Sequence, residues 1–149
     1  MRARVGRGNS RIPQTLAGVA AEYAVAAELS RRSYIASLTL KNTRGVDLLA
    51  SNADASRSVG IQVKGSQGRR RAWVLDKKAE TYRARRLFYV FVTLLDSTTR
   101  PEFFVVPSKD VARYTKTSHR RWAQKTWQKG PEAPRQSNEG VQGPRGQVS

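Results

Sequence analysis

Apolar residues near the amino end recur every three or four positions, as they do on one face of a helix. Over residues 14–32 this spacing predicts an amphipathic helix that packs a stripe of mostly small side chains against the rest of the fold. Glu22 lies at the edge of the stripe. The stripe itself consists of Leu16, Val19, Ala20, Tyr23, Ala27 and Ser30.

Three stretches in the first half of the chain have the composition of β-strands. Residues 34–39 predict a first strand, which turn-forming residues then end. Residues 45–51 and 58–65 alternate apolar and polar side chains around a polar turn, which predicts an antiparallel hairpin and two further strands. On the core side of this hairpin we expect Val46, Leu48, Ala50, Ile61 and Val63.

Further stretches predict the rest of the sheet. The run LFYVFVTLL at 87–95 is rich in β-branched and aromatic residues, as expected for a strand that is covered on both faces. Residues 72–75 are expected to continue the sheet before a short polar helix at about 76–83, and residues 102–106 predict another strand. Together with the first helix, these stretches predict an α/β fold with a central sheet.

The last periodic segment, residues 108–129, predicts a second long helix. Ser108 is the expected N-cap, since a serine hydroxyl accepts a hydrogen bond from the free N–H groups at a helix start. Trp122 and Trp127 are expected to cover the sheet, and Trp73 is expected to pack on it as well.

Length and composition divide the chain into three parts. At 149 residues it is expected to form a single domain, which the periodic segments assign to residues 14–129. Residues 1–13 hold four arginines among small polar residues without periodicity, and predict a flexible basic arm. Residues 130–149 are rich in Pro, Gly, Ser and Gln, and predict a disordered tail. Because Glu22 interrupts the apolar run that a targeting segment would need, we expect a cytoplasmic protein.

The charge of the chain indicates a polyanionic partner. There are 28 Lys and Arg residues against 11 Asp and Glu, a net charge of +17, and the basic residues are spread over folded segments and loops. This distribution favours nucleic acid over a membrane surface, and no apolar stretch approaches the ~18 residues of a membrane span. The chain has no cysteine and one histidine, His119, which excludes disulfides, Cys-based zinc sites and His-rich metal sites.

The polar side of the predicted hairpin carries an unusual set of side chains. If its strands pair antiparallel, Asp47 lies near Lys64, with Gln62 two residues back. These groups suit metal-assisted hydrolysis of a phosphodiester, because Mg²⁺ prefers oxygen ligands and a lysine can orient or deprotonate the attacking water. The alternative is an ordinary cross-strand ion pair between Asp47 and Lys64, worth roughly a few tenths of a kcal/mol.

At these residues the sequence resembles the PD-(D/E)XK nuclease superfamily, and is similar to its archaeal Holliday-junction-resolvase-like members. Asp47 matches the first acid of the motif, without a preceding proline. The segment Gln62-Val63-Lys64 occupies the position of (D/E)-X-K, with glutamine instead of the second acid. Glu22 matches an additional metal-binding glutamate in the preceding helix. The resemblance covers residues 14–106 in the order of the predicted elements.

The resemblance implies a restriction-endonuclease-like α-β-β-β-α-β core, a mixed central sheet flanked by helices, for a nuclease-like domain at 14–129. It implies a Mg²⁺-dependent deoxyribonuclease, with Mn²⁺ as a substitute, acting on branched or otherwise structured DNA. Lys64 would serve the attacking water. Dimerisation is common in such relatives and would give a homodimer with two cutting sites. The implied metal ligands are Asp47, Gln62, the backbone carbonyl of Val63, and Glu22.

Arginines before and after the motif are expected to bind nucleic acid, and the run that follows Lys64 is expected to reach phosphates that flank the cleaved bond. Arg44 precedes the hairpin. The run after Lys64 consists of Arg69, Arg70 and Arg71. The alternative for this run of three arginines is a solvated loop.

The rival hypothesis is a non-catalytic nucleic-acid-binding protein on the same fold. In that case the basic surface does the binding, and Gln62 marks an affinity for metal that has been lost. Cleavage of DNA in the presence of Mg²⁺ or Mn²⁺ distinguishes the two hypotheses.

Overall fold

The structure is a computed structural model that describes residues 11–40 and 45–129, with side chains as far as residue 124. Arg44, the predicted tail and most of the predicted arm lie outside the described residues. Within them the chain forms α1 (Gln14–Ser30), β1 (Ile35–Leu38), β2 (Leu48–Ser51), β3 (Ser58–Gln67), a 3-10 helix (Lys77–Glu80), β4 (Leu87–Leu94), β5 (Glu102–Pro107) and α2 (Ser108–Lys129).

The five strands form one mixed sheet in the order β1-β2-β3-β4-β5. Neighbouring strands pair antiparallel except β3 and β4, which run parallel. A parallel pair needs a crossover that returns the chain to the same end of the sheet, and residues 68–86 provide it. Because α1 packs on one face of the sheet and α2 on the other, the predicted α/β fold with a mixed sheet between helices is confirmed.

Alternation along β4 separates the two faces of the sheet. Val90 and Val92 belong to the apolar cluster beneath α1, whereas Tyr89 and Phe91 belong to the cluster beneath α2. All four side chains are buried. Since both faces of this strand are covered, it needs no polar side, which explains the continuous run of apolar residues and confirms the prediction for this strand.

The predicted antiparallel hairpin is formed by β2 and β3, with Leu48 opposite Ile61. Most of the expected core side is confirmed, but Val46 does not join it. The methyl carbons of Val46 lie 3.4 and 3.5 Å from the position that a Cβ on Gly60 would occupy, on the other side of β3. The hairpin residues that are buried beneath α1 are Leu48, Ala50, Ile61 and Val63.

The face of α1 that packs on the sheet is opposite to the predicted one. Leu16 and Tyr23, from the predicted stripe, are 55% and 61% exposed. A Cβ on Gly65 of β3 would lie 3.0 Å from the Cβ of Ala21 and 3.1 Å from the carbonyl oxygen of Ala17. Helix and sheet therefore approach so closely that only small side chains fit between them. The buried residues of α1 are Ala17, Ala21 and Val25.

The crossover begins with an extended segment that does not join the sheet, so the prediction for residues 72–75 is wrong. The indole N–H of Trp73 donates to the carbonyl of Val92 at 3.1 Å. Its ring packs against Phe91 and Phe104, with centroid distances of 5.1 and 5.6 Å. Trp73 therefore packs on the sheet as predicted, and it holds the segment across the face of the sheet instead of along an edge.

The polar helix predicted at about 76–83 is a single 3-10 helix. Oδ1 of Asp76 accepts the N–H of Ala79 at 3.2 Å and so caps its start. Ala79 is buried in the cluster with Tyr89 and Phe91. One turn suffices to anchor the crossover on the sheet, and this 3-10 helix stands where the resemblance implied an α-helix.

α2 packs on β4 and β5 at its start and then continues beyond its last fully buried described residue, Thr115. The prediction that Ser108 caps α2 is wrong, because its hydroxyl donates to the carbonyl of Ala84 at 2.9 Å and accepts the N–H of Ala84 at 3.0 Å. Trp122, predicted to cover the sheet, is 69% exposed, and the side chain of Trp127 lies outside the described part. Neither α2 nor α1 is apolar enough over a sufficient length to cross a membrane.

Candidate functional site

Asp47 lies immediately before β2, and both its backbone and its side chain bond to β3. Its N–H donates to the carbonyl of Ile61 at 2.8 Å, and its Oδ2 accepts the N–H of Val63 at 2.6 Å. On the other side, the carbonyl of Asp47 accepts the N–H of Thr39 at 2.9 Å. A hydrogen bond from N–H to a charged carboxylate is short and strong, so the half-buried side chain is held in a defined position.

An open edge of β3 lies beside Asp47. β3 continues to Gln67, whereas β2 pairs with it only from Leu48 onward. The N–H of Val63 is therefore met by a side chain instead of a neighbouring strand. Because the N–H and C=O of one strand residue point to the same edge, the carbonyl of Val63 also faces this opening. Oδ1 of Asp47 forms no hydrogen bond with another described residue and is free to bind a cation.

Gln62 and Lys64 lie on either side of Val63 along β3 and share the face of the sheet opposite α1. Their partners on β4 are Tyr89 and Phe91, which belong to that face. Both side chains are half-buried. Neither forms a hydrogen bond to another residue in the described part of the chain. The amide oxygen and the ammonium group are thus both free to meet a ligand.

The hairpin brings Asp47 beside Ile61 and Val63 instead of Lys64. Leu48 pairs with Ile61, and the N–H of Asp47 donates to the carbonyl of the same residue, so Asp47 and Leu48 both lie against Ile61 and the alternation of sides is interrupted before β2. The ion pairs formed within the described residues involve neither Asp47 nor Lys64. The cross-strand ion pair that was the alternative interpretation of these two charges is therefore absent there.

Glu22 approaches β3 from the other face of the sheet. It is half-buried and directly follows Ala21, which packs on Gly65. Since α1 covers the face opposite to Gln62 and Lys64, Glu22 can share a ligand with them only around the open edge of β3. The structure thus brings the hairpin residues together and leaves Glu22 on the neighbouring helix.

A buried tyrosine that the sequence pattern did not reveal lies beside Gln62. Tyr89 pairs with Gln62 across β3 and β4 and is 2% exposed. Burial raises the pKa of its hydroxyl above the ordinary value of 10.0, and Asp76, Tyr82 and Asp47 raise this pKa further. Tyr89 is therefore a neutral hydroxyl close to two carboxylates at physiological pH. In the sequence it resembles any other member of an apolar strand, and only the parallel register places it here.

The turn before Asp47 packs against a second tyrosine. Gly45 has a φ of 66°, and a Cβ on it would overlap the ring of Tyr82. Only glycine accommodates both this backbone conformation and this contact. The one signal in the sequence is an isolated aromatic residue in a charged stretch, KKAETYRARR. Tyr82 thus links the crossover to the loop that positions Asp47.

The predicted basic loop divides into two parts. Arg69 and Arg70 are exposed and form no ion pair with another described residue. Arg71 instead bonds to both carboxylate oxygens of Glu102 at 3.1 Å and lies over the ring of Phe104. Its charge is therefore compensated on β5, which leaves the other two arginines as the more accessible contacts for a phosphate.

The groups near the open edge that could bind a metal ion are oxygen donors of different chemical types. Among the described residues, no group of three or more His, Cys, Asp or Glu side chains could hold a metal ion. The candidate set instead combines one carboxylate, one amide and one backbone carbonyl, with a second carboxylate on α1. Hard cations such as Mg²⁺ accept such donors.

Comparisons of the chain with protein-family models, curated proteins and solved structures find no match.

Proposed function

We propose that the chain is a metal-dependent DNA endonuclease of the PD-(D/E)XK type, which cleaves phosphodiester bonds of branched or otherwise structured DNA. The observation that carries the proposal is the hydrogen bond between Oδ2 of Asp47 and the N–H of Val63 at the open edge of β3. Gln62 and Lys64 lie within one residue of Val63 on the same strand. The net charge of +17 supports a polyanionic substrate.

The donor set near this edge fits a divalent cation. Asp47, Gln62 and the carbonyl of Val63 would hold it, and Glu22 would add the second carboxylate. Bound Mg²⁺ supplies polarisation of the phosphate and lowers the pKa of a coordinated water. Because an amide replaces one carboxylate, we expect a weaker affinity for the cation than a site with two strand carboxylates would have.

Lys64 serves the attacking water in this proposal. Its half-buried side chain shares a face with Gln62, and its charge is not compensated by a carboxylate in the described part of the chain. As a cation, Lys64 would orient the water and stabilise the charge that develops on the phosphate oxygens, and as a neutral amine it would accept the proton of the water. The water oxygen bonds to phosphorus, one P–O ester bond breaks, and the departing oxygen is protonated.

The order of elements also supports the proposal. One helix precedes three antiparallel strands, and a crossover then leads to a strand that is parallel to the third. This order agrees with the implied α-β-β-β-α-β core if the 3-10 helix stands for the second helix. β5 and α2 follow this core in the chain and are not part of it.

Cleavage of supercoiled plasmid DNA tests the proposed activity. We expect the purified chain to nick or linearise the plasmid with Mg²⁺ or Mn²⁺ and not with EDTA. Lys64→Ala should abolish cleavage, because one lysine among 28 basic residues matters little for binding but serves the chemical step. Lys77→Ala, at an exposed lysine of the 3-10 helix, is the matched control and should cleave normally.

A chain that binds DNA but cuts it with neither metal would favour the rival function, a nucleic-acid-binding protein without catalysis. Rates on duplex, branched junction, single-stranded DNA and RNA test the substrate class, and equal rates on duplex and junction would remove the preference for structured DNA. Homodimerisation and a cytoplasmic location stay predictions, and light scattering of the purified chain tests the first of them.

A further inference from the structure

A stripe of basic side chains follows one flank of α2. Its members recur every three or four residues and fall within about 60° of the helix circumference at ~100° per residue. All of them are exposed. The neighbouring face of the helix, with Val111 and Thr115, is buried against the fold, so the stripe has a fixed orientation. The stripe consists of Lys109, Arg113, Lys116 and Arg120.

The stripe forms one wall of a groove whose other wall is the crossover. The groove has a volume of about 540 Å³ and lies between the start of α2 and the end of the 3-10 helix. The charged residues that line it are Glu80 and Arg83 from the crossover, and Lys109, Asp110, Arg113 and Lys116 from α2. Four of these six side chains are basic, so the groove carries an excess of positive charge.

The acids of the groove already have partners. Glu80 bonds to His119, and Asp110 pairs with Arg113 at 2.9 Å. The three remaining basic side chains have no carboxylate partner in the part of the chain that the structure describes. These uncompensated charges belong to Arg83, Lys109 and Lys116. An anionic ligand would therefore bind here without displacing an existing ion pair.

The groove begins next to the candidate site. Arg83 follows Tyr82, whose ring packs on Gly45, two residues before Asp47. α2 also covers the same face of the sheet to which Gln62 belongs. A nucleic-acid strand that leaves the open edge of β3 across Tyr82 would reach Arg83, which lines the groove.

The dimensions of the stripe suit a regular phosphate backbone. From Lys109 to Arg120 the helix advances about 16 Å at ~1.5 Å per residue. One strand of duplex DNA presents a phosphate about every 3.4 Å of helix axis. The stripe therefore spans about five phosphates, enough to offer one to each of its four basic side chains.

We propose that this groove binds the phosphate backbone of duplex DNA that flanks the cleaved bond. The inference rests on the proposed function for the position of the cleaved bond, whereas the binding itself is measured without cleavage. The groove contacts phosphates only, so it contributes affinity and orientation without selecting a base sequence.

A salt titration of binding in EDTA tests the groove. Lys109→Ala combined with Lys116→Ala removes two charges from it. If both side chains meet phosphates, the slope of log K against log salt for a labelled duplex should become shallower by about 1.8, at ~0.9 per contact. Arg31→Ala combined with Arg57→Ala is the matched control, because it removes two exposed charges remote from the groove, at the end of α1 and in the turn between β2 and β3. Its slope should stay parental.

Equal slopes in the two double variants would overturn the proposal, since the groove residues would then affect binding only through the net charge of the protein, as any two basic residues would. Matching thermal melts confirm that both variants are folded. A groove variant that loses binding to vesicles with anionic lipid, but not to duplex, would also overturn it in favour of a membrane surface. If the parent cleaves plasmid DNA but the groove variant binds with an unchanged salt slope, the groove proposal is refuted and the nuclease proposal stands. If the groove variant has a shallower slope but the parent does not cleave, the groove proposal stands and the nuclease proposal is refuted.

Discussion

Oδ2 of Asp47 accepts the backbone N–H of Val63 at 2.6 Å, where β3 has lost its neighbouring strand. One carboxylate oxygen thus replaces a strand partner, and the other remains free of hydrogen bonds within the described residues. Asp47 therefore combines two separable properties. It is an acceptor that completes the sheet, and it is a negative charge at the opening.

Two substitutions of Asp47 separate these properties. Asp47→Asn keeps an oxygen for the N–H of Val63 but removes the charge, so we expect a near-parental melting temperature and a loss of both metal binding and cleavage. Asp47→Ala leaves a half-buried N–H without its partner and should also lower the free energy of unfolding by about 1–3 kcal/mol. Thermal melts and calorimetric titration with Mn²⁺ measure the two effects. Identical melting of both variants would show that the hydrogen bond contributes nothing to stability.

The alternation of apolar and polar residues was enough to predict the hairpin, and a continuous apolar run was enough to predict β4. Leu48, Ile61 and Val63 are buried as expected, because a period of two directly determines which side of a strand is covered. The same reasoning failed for α1. Its most apolar stripe is exposed, since the close approach at Gly65 admits only small side chains. The periodicity of a helix reflects its own residues and carries no information about the surface that it meets.

Only part of the candidate site could be predicted from the sequence, because the rest depends on how the elements pair. The hairpin pattern brought Asp47, Gln62 and Lys64 together, but the register that sets Leu48 opposite Ile61 and Asp47 beside Val63 depends on where the turn closes. That turn is closed by Asn52, which bonds to Arg57 through both its backbone and its side chain. Tyr89 was beyond reach of the sequence pattern, because its contact with the site depends on a parallel pairing across a long crossover.

Gln62→Glu should tighten metal binding by restoring a carboxylate at the strand position. Hard cations bind a charged oxygen more strongly than an amide, so cleavage should persist at lower Mg²⁺ than in the parent. Gln62→Met, of similar shape but without an oxygen, is the matched control and should bind metal more weakly than the parent. Calorimetry in which neither the parent nor Gln62→Glu binds metal would contradict a metal site at this edge.

Tyr89 makes the fold sensitive to alkaline pH. Its pKa in the folded chain is raised above 10.0, first by burial and then by Asp76, Tyr82 and Asp47. The folded state therefore favours the protonated hydroxyl, and this stabilisation is present below pH 10 and is lost as the pH rises through the raised pKa. Tyr89→Phe should lose less stability than the parent in that alkaline range. Tyr23→Phe, at a 61% exposed tyrosine, should behave like the parent in melts at successive pH values.

Two glycine substitutions test the close packing of α1 on β3. Gly65→Ala would bring a Cβ within 3.0 Å of Ala21 and 3.1 Å of the backbone of Ala17, which should lower the free energy of unfolding by about 1–3 kcal/mol. Gly18→Ala meets nothing within 4 Å and should raise it by about 0.5–1 kcal/mol through helix propensity. Denaturant unfolding measures both changes. Equal stability of the two variants would mean that α1 can move away from the sheet without cost.

The basic loop after β3 should contribute two phosphate contacts, not three. Arg69 and Arg70 are exposed, whereas the charge of Arg71 is compensated by Glu102. Replacing Arg69 and Arg70 with alanine should flatten the dependence of log K on log salt by up to about 1.8, at ~0.9 per contact, and should leave the cleavage rate at saturating protein nearly unchanged. Arg71→Ala should change the slope little. If Arg71→Ala alone flattens the salt slope, DNA displaces Glu102 from Arg71. If the slope of the double variant is unaltered, the loop does not contact DNA.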